Sequence, residues 1–263
     1  MMNNKYTKDK EYEYRKTEYR SSKILAKKKS FNDDDLSGSQ SIEILYRPPY
    51  QQYEKLIKKY INSHHRVLEL GSGTGGHTIT LLETGAHVTA TDISPKALEV
   101  LSSSFSKYSN LKTQIADIEQ LPFNDYDFDI ICCASSLSYG DTKIVQSEIK
   151  RLLKPKGLFI CIDSLNNNLV YKLHRYILFL MNKKSHTAIL NMPTIKKIDS
   201  YCSLFTLKEI YFYGSILWLI SFFKSIINQS ILVDIIQKLD NFFKVKGSAH
   251  KFVIVLENKI NHK

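Results

Sequence analysis

The residues of this chain whose types and spacing could do chemistry are a run of glycines and the acids around it. Val67-Leu68-Glu69-Leu70 is followed at once by Gly71-Ser72-Gly73-Thr74-Gly75-Gly76. Asp92 closes a second apolar run, His87 to Thr91, and Asp117 closes a third, Lys112 to Ala116. Glycines let a backbone turn tightly and let a ligand approach without meeting a Cβ. An acid about 20 residues beyond the first glycine is placed to accept hydrogen bonds from ribose hydroxyls. These groups together suit the holding of a nucleotide. Gly71, Gly73 and Gly76 also satisfy G-x-G-x-x-G, so the glycines alone leave a dinucleotide open. Glu69 points elsewhere. An acid two residues before the first glycine suits a ligand with an ammonium and a sulfonium, and would repel a pyrophosphate.

The elements that must position these groups follow from periodicity. The first apolar run is a strand, a helix begins near Gly75 with Ile79, Leu81 and Leu82 inward, and a strand ends at Asp92, which makes a βαβ unit. Its helix aims free N–H groups at the ligand. Ser94 is a good N-cap and Pro95 a good first helical residue, so a helix runs on to about Ser103. Tyr126 to Cys133 is a fourth strand. Asp141 starts a helix carrying Ile144, Val145, Ile149 and Leu152, and Lys154-Pro155-Lys156-Gly157 turns into a fifth strand, Leu158 to Ile162. Helices are expected over Asn166 to Met181 and Pro193 to Phe205, and strands over Leu207 to Tyr213 and His250 to Glu257. An earlier helix carries Tyr53, Leu56, Ile57 and Tyr60 on one face, with Tyr46 and Tyr50 just before it.

The order of these pieces carries a resemblance. ELGSGTG (69–75), the acid Asp92, Asp117-Ile118, Leu121-Pro122-Phe123, Phe128-Asp129-Ile130-Ile131 and LLKPKG (152–157) together resemble the class I S-adenosylmethionine-dependent methyltransferases, of the type 11-like kind. The similarity is continuous from Arg66 to Asp163. It departs at Lys156, where that family usually has glycine. The resemblance implies a Rossmann-like α/β fold: a seven-stranded sheet with an antiparallel seventh strand, helices on both faces, and a helical cap at the ligand edge. It implies S-adenosyl-L-methionine as cofactor, held by Glu69, Gly71, Ser72, Gly73, Thr74, Gly75, Asp92, Ile93, Asp117, Ile118 and Ala134. Asp92 would bind the ribose and Asp117 the adenine amino group, with Ile118 packed on the ring. His77 would meet the methionine end.

The C-terminal third is where an acceptor must be read. Its stretches DSLNNNLVYKLHRYILFL (163–180), MPTIKKIDSY (192–201) and YFYGSILWL (211–219) resemble methyltransferases encoded with bacterial surface-polysaccharide genes. That similarity implies O-methylation of a sugar hydroxyl on a lipid- or nucleotide-linked glycan. A hydroxyl is a poor nucleophile, so a general base would help. Asp163 and Asp141 fall at the ligand-facing edge, His174 lies on the helix after Asp163 and could turn inward, and Tyr139 would close over the methyl group. Asp141 is also an N-cap and His174 also a solvent-exposed helical residue. His64 and His65 precede the first strand, at the wrong end. A quinone or other apolar acceptor, an RNA acceptor, and a binding-only protein without turnover are the rival readings. The absence of N-P-P-Y after the fourth strand disfavours nucleic-acid bases.

Composition sets bounds. At 263 residues the chain suits one domain with additions. Residues 1–40 lack periodicity and read as a mostly disordered basic tail, with a frayed helix around Lys10 to Lys29. The resemblance implies that residues 41–263 form the methyltransferase unit, with 164–205 and 214–247 as helical additions on the acceptor side. The net charge of +11 is uneven: residues 165–263 carry fourteen Lys/Arg against five Asp/Glu. That favours an anionic partner for the appendages. Cys132, Cys133, Cys161 and Cys202 form no C-x-x-C pair and suit reduced thiols of a cytoplasmic protein, with no metal site. No secretory signal opens the chain, and its longest apolar run, Ser215 to Phe223, is short of the ~18 residues of a span. That run suits core packing, a homodimer contact, or peripheral contact with the inner face of a membrane.

Overall fold

The computed structural model describes residues 42–181, 185–217, 227–243 and 246–259, together with Tyr14, Thr17, Glu18 and Ser21. Most of the 1–40 tail and most of the apolar 215–223 run therefore lie outside the described residues. Four residues of the tail are placed. They are helical, and Ser21 is buried.

Seven strands form one sheet: β1 (Arg66–Leu70), β2 (His87–Asp92), β3 (Leu111–Ile115), β4 (Phe128–Ala134), β5 (Leu153–Ser164), β6 (Phe205–Tyr213) and β7 (Lys251–Asn258). Their order is β3-β2-β1-β4-β5-β7-β6. The strands from β3 to β5 pair in parallel, and β7 runs antiparallel to both β5 and β6. The chain reverses direction in space at β1, because β2 and β3 lie to one side and β4 and β5 to the other. In such sheets the ligand crevice opens beyond the strand ends at that switch.

Parallel strands are covered on both faces, and their sequences show it. In β1, Leu68 and Leu70 face one core with Ile131, Cys133, Phe159 and Cys161. Val67 faces the other with Val88, Ala90, Ile130 and Ile160. The first core is closed by Val145, Ile149 and Leu152 of α4 (Thr142–Leu152) and by Ile198 and Tyr201 of α7 (Ile195–Leu204). The second is closed by α1 (Pro48–Tyr60), α2 (Thr78–Leu82) and α3 (Pro95–Ser104) through Tyr53, Leu56, Leu81 and Leu101. Ser94 caps α3 by accepting from the Ala97 N–H, with Pro95 first in the helix, as the sequence predicts. All four cysteines are free thiols, and Cys132, Cys133 and Cys161 are buried.

Two differences from the sequence reading have physical causes. Helix α2 starts at Thr78 rather than near Gly75, because Gly75 sits at φ 93° and the turn runs on to His77. The fifth strand begins at Leu153, five residues early. The Lys-Pro-Lys-Gly segment is absorbed as a shift in register: Phe128 pairs with Leu153, and Ile130 already with Leu158. Lys156 takes φ 63° there, a left-handed conformation that costs a side-chain-bearing residue about 1–2 kcal/mol. Lys156→Gly should relieve most of that strain, less glycine's extra unfolded-state entropy. The expected gain is roughly 0.5–1 kcal/mol in urea unfolding, and a loss of stability would refute the strain.

Segments 164–205 and 214–247 are helical over α5 (Leu169–Leu180), α6 (His186–Asn191), α7 and α8 (Gln229–Phe243). Helix α8 buries Leu232 and Ile236 against Leu45 and Leu217 in a small separate core. Among the described residues no helix is long and apolar enough to cross a membrane.

Candidate cofactor and acceptor site

A cavity of about 280 Å³ opens at the C-terminal ends of β1 to β4. The glycine turn supplies its floor. Gly71 (φ 63°) and Gly73 (φ 55°) both adopt left-handed backbone and both line the cavity. A Cβ on Gly71 would lie 2.3 Å from Ser136 Oγ, whereas one on Gly73 would meet open space. The turn is tied down by Asp92. Its Oδ2 accepts from the Gly73 N–H at 2.9 Å, and its Oδ1 accepts from the Ser94 N–H at 2.9 Å. Burial pushes the Asp92 carboxyl up, and these backbone donors pull it back.

Asp92 and Ile93 at the end of β2, and Ala116, Asp117 and Ile118 after β3, form one wall. Asp117 Oδ1 accepts from the Glu119 N–H at 3.0 Å, which fixes the loop beyond β3. Ala134, Ser135, Ser136, Ser138 and Tyr139 form the opposite wall. Ser136 Oγ donates to the Gly71 carbonyl at 3.1 Å, so the loop after β4 is stitched to the glycine turn. Ser135 sits at φ 61°. Tyr14 and Thr17 of the tail, and Ser185, Thr187 and Ala188 around the start of α6, complete the lining. Glu18 contacts the Ser94 hydroxyl and accepts from the Lys96 N–H at 3.1 Å, anchoring that part of the tail beside the cavity.

Of the residues read from sequence as cofactor ligands, Gly71, Gly73, Asp92, Ile93, Asp117, Ile118 and Ala134 line this cavity. Glu69, Ser72, Thr74, Gly75 and His77 do not. Glu69 lies under the turn, only 2% exposed, and accepts from Thr78 Oγ1 at 2.7 Å. Burial raises its carboxyl to about 7, the Thr78 hydrogen bond opposes this, and Asp92 adds to it. His77 stacks on Tyr50 with ring centroids 5.1 Å apart, and it meets Tyr53 edge-on. Burial lowers its imidazole to about 4, so it is neutral at pH 7.

The four candidates for proton removal separate clearly. Tyr139 lines the cavity and is 46% exposed. Asp163 does not line it. Only 2% exposed, its carboxylate accepts from the Leu137 N–H at 3.0 Å and the Ser164 N–H at 2.6 Å, and so braces the loop after β4 from behind. Asp141 is the N-cap of α4, accepting from the Lys143 and Ile144 N–H groups. His174 is exposed on α5, away from the cavity lining. Sequence reasoning places Asp163 and Asp141 at the ligand-facing edge of the sheet, where the structure has them. It cannot tell a carboxylate that faces the ligand from one turned back to hold a loop.

The serines of the loop after β4 fall in a stretch that leaves the strand at its ligand-facing end, but nothing in the sequence singles them out. Ser185 and Thr187 carry no sequence signal. Among the described residues no group of three or more His, Cys, Asp or Glu side chains is arranged to hold a metal ion.

The lining fits S-adenosylmethionine. Two acids stand one strand apart for ribose and adenine, Ile118 offers an apolar face to the ring, and a left-handed glycine leaves room where a Cβ would intrude. Ser72 Oγ, buried in the turn next to the lining residues Gly71 and Gly73, has no hydrogen-bond partner among the described residues. The bound cofactor supplies an electrophilic methyl on sulfur. The chain's own part is to hold it and align an acceptor.

Comparison with known proteins agrees. Residues 67–157 match the family model described as a methyltransferase domain. Over 123 residues the chain is 30% identical to the putative methyltransferase YqeM of Bacillus subtilis, covering 45% of this chain and 50% of that protein. It is 33% identical over 124 residues to a demethylmenaquinone methyltransferase of Tropheryma whipplei, covering 45% and 52%. A sterol 4-C-methyltransferase of Caenorhabditis elegans is 31% identical over 115 residues, 42% of this chain and 34% of that one. The matched region thus spans about half or less of these relatives' lengths. Among solved structures, the MccD protein superposes with a TM-score of 0.58 at 19% identity, covering 81% of this chain and 98% of that one. The geranyl diphosphate C-methyltransferase of Streptomyces coelicolor, solved with S-adenosyl-L-homocysteine, gives 0.58 at 12% identity and 79% coverage of both. These likenesses establish the shared fold. Over residues 67–157, from its glycine turn into the fifth strand, this chain is similar to methyltransferase domains, and its sheet has their fold.

Proposed function

We propose that the protein transfers the methyl group of S-adenosylmethionine to a hydroxyl of a sugar, carried on a lipid- or nucleotide-linked glycan of surface-polysaccharide synthesis. The observation that carries this reading is the lining beyond the nucleotide acids. It includes a set of small hydroxyl side chains, Ser135, Ser136, Ser138, Ser185 and Thr187, set among the apolar Ile93, Ile118, Ala134 and Ala188. Hydroxylated acceptors are oriented by such groups, and in-line methyl transfer depends chiefly on orientation. Of the four proton-removal candidates only Tyr139 reaches the cavity, so alignment contributes more than a strong base. The exposed Leu169, Leu173, Ile177 and Leu180, spaced along one side of α5 in the basic C-terminal third, support an acceptor presented at the inner face of a membrane.

A second reading rests on the relatives. The demethylmenaquinone and sterol methyltransferases carry names of apolar acceptors, which favours a quinone-like substrate. The deciding experiment supplies methyl-labelled S-adenosylmethionine with nucleotide sugars, lipid-linked oligosaccharide, demethylmenaquinone or RNA. Label in a sugar fraction is expected. It should be absent with Asp92→Ala, which frees the Gly73 N–H and lowers cofactor affinity by ~10-fold or more. Label in the quinone alone would overturn the sugar in favour of the second reading. Cofactor binding with no label in any acceptor would favour a binding-only protein.

A further inference from the structure

Lys251 opens β7 at the ligand edge of the sheet, and its surroundings are unusual for an ammonium. The residue is only 7% exposed. Its Nζ lies 3.4 Å from Ser135 Oγ and 3.3 Å from Ser164 Oγ, and it stands 5.0 Å above the centre of the Tyr50 ring. Both hydroxyl contacts are longer than the usual 2.7–3.2 Å of an N–H···O bond. Among the described residues no carboxylate pairs with it. Buried cations are ordinarily paired, because an ammonium taken out of water without a counter-charge is costly.

Arg175, another buried cation, shows the ordinary solution. It donates to the Leu165 carbonyl at 2.7 Å and to Asn166 Oδ1 at 3.0 Å, within electrostatic reach of Asp163. Lys251 itself lines a separate small cavity with Tyr46, Asp240 and His250, and it meets the cofactor cavity through Ser135, a lining residue in left-handed backbone. Two further polar atoms of the glycine turn are buried without partners among the described residues, Ser72 Oγ and His77 Nδ1. The His77 ring stacks on Tyr50, the same ring that Lys251 covers.

We infer that Lys251 forms an oxyanion subsite at the end of β4, which takes a carboxylate or phosphate group of a molecule bound in the cavity. This rests on the S-adenosylmethionine reading of that cavity. Two sources of the anion fit the geometry, the cofactor's own carboxylate and an acidic group on the acceptor. Both would supply the counter-charge that the fold withholds, and Ser135 and Ser164 would hold the ammonium in register until it arrives. Such a contact would set how the molecule lies in the cavity, as a charge-assisted hydrogen bond does.

The test compares wild type with Lys251→Met, which keeps the stem and removes the charge, and with Lys251→Arg, which keeps the charge. Binding of S-adenosylhomocysteine and of 5′-methylthioadenosine, which lacks the amino-acid end, is measured by titration calorimetry. Thermal unfolding is measured with pyrophosphate against chloride at matched ionic strength, in the presence of 5′-methylthioadenosine. If the cofactor supplies the anion, Lys251→Met weakens S-adenosylhomocysteine by ~10-fold or more, leaves 5′-methylthioadenosine unchanged, and Lys251→Arg restores part of the loss. If the acceptor supplies it, both nucleosides bind normally, and the stabilisation by pyrophosphate seen in wild type disappears in Lys251→Met. Equal responses of wild type and Lys251→Met to all three ligands would overturn the subsite. Failure of wild type to bind either nucleoside would instead sink the cofactor reading, leaving the pyrophosphate response to decide on Lys251.

Discussion

Glu69→Gln should make the protein more stable above pH 8 by about 3 kcal/mol, and leave it nearly unchanged near pH 4.5. In the fold this carboxyl is buried and titrates at about 7, against an ordinary 4.5. Every pH unit separating the two values corresponds to about 1.4 kcal/mol. Because the folded value is raised, the native state binds the proton more tightly. The associated stability is fully present below pH 4.5 and is lost as pH rises through 7. Glutamine keeps an oxygen for the Thr78 hydroxyl and cannot ionise. His77 titrates with the opposite sign, its lowered value adding stability as pH rises from about 4 to 6.5. The informative quantity is therefore the difference between wild type and variant in urea unfolding at pH 5 and pH 8.5. A difference independent of pH would show that Glu69 ionises freely in the fold.

The second large effect is expected at Gly71. Gly71→Ala places a methyl group 2.3 Å from Ser136 Oγ and 2.6 Å from Ser136 Cβ, at a φ of 63°. Overpacking costs typically 1–3 kcal/mol and left-handed backbone about 1–2 more, so the variant should lose roughly 2–5 kcal/mol. The two contributions can be separated. Ser136→Gly removes both clashing atoms, so adding it to Gly71→Ala should return the overpacking share and leave the backbone share. A double-mutant cycle on unfolding free energies measures that coupling. Gly71→Ala as stable as wild type would show that the turn is not held against the loop after β4. Cofactor binding should weaken in the single variant, since the methyl group forces apart Gly71 and Ser136, which both line the cavity.

The unequal legibility of the site follows from what each residue depends on. Gly71, Gly73, Asp92 and Asp117 are readable because strand, turn and acid recur at spacings that backbone geometry fixes. The sheet order and the antiparallel β7 come with the same resemblance. Asp163 and Asp141 fall at the correct edge, but their rotamers and partners are tertiary facts: one braces Leu137, the other caps a helix. His77 lies in the turn that the sequence sets toward the cofactor, yet its ring turns to the aromatic side of α1. Lys251 carries no signal at all. A single lysine at the start of a strand is ordinary until the fold brings Ser135 and Ser164 beside it from more than eighty residues away. The early start of β5 is hidden because Lys156 occupies a position whose backbone asks for glycine.

The placement of β7 between β5 and β6 bears on how the molecule is made. A ribosome releases the chain from its N-terminus, so β1 to β5 can pair while β7 is still being synthesised. Until residue 258 has emerged, β5 keeps an open apolar edge, and β6 has no partner, since it pairs only with β7. The nascent nucleotide half can therefore assemble well before the strand that brings Lys251 to its rim. In the interval that open edge is a pairing surface for other chains, and rapid synthesis of the last stretch, or a chaperone covering it, would shorten the exposure.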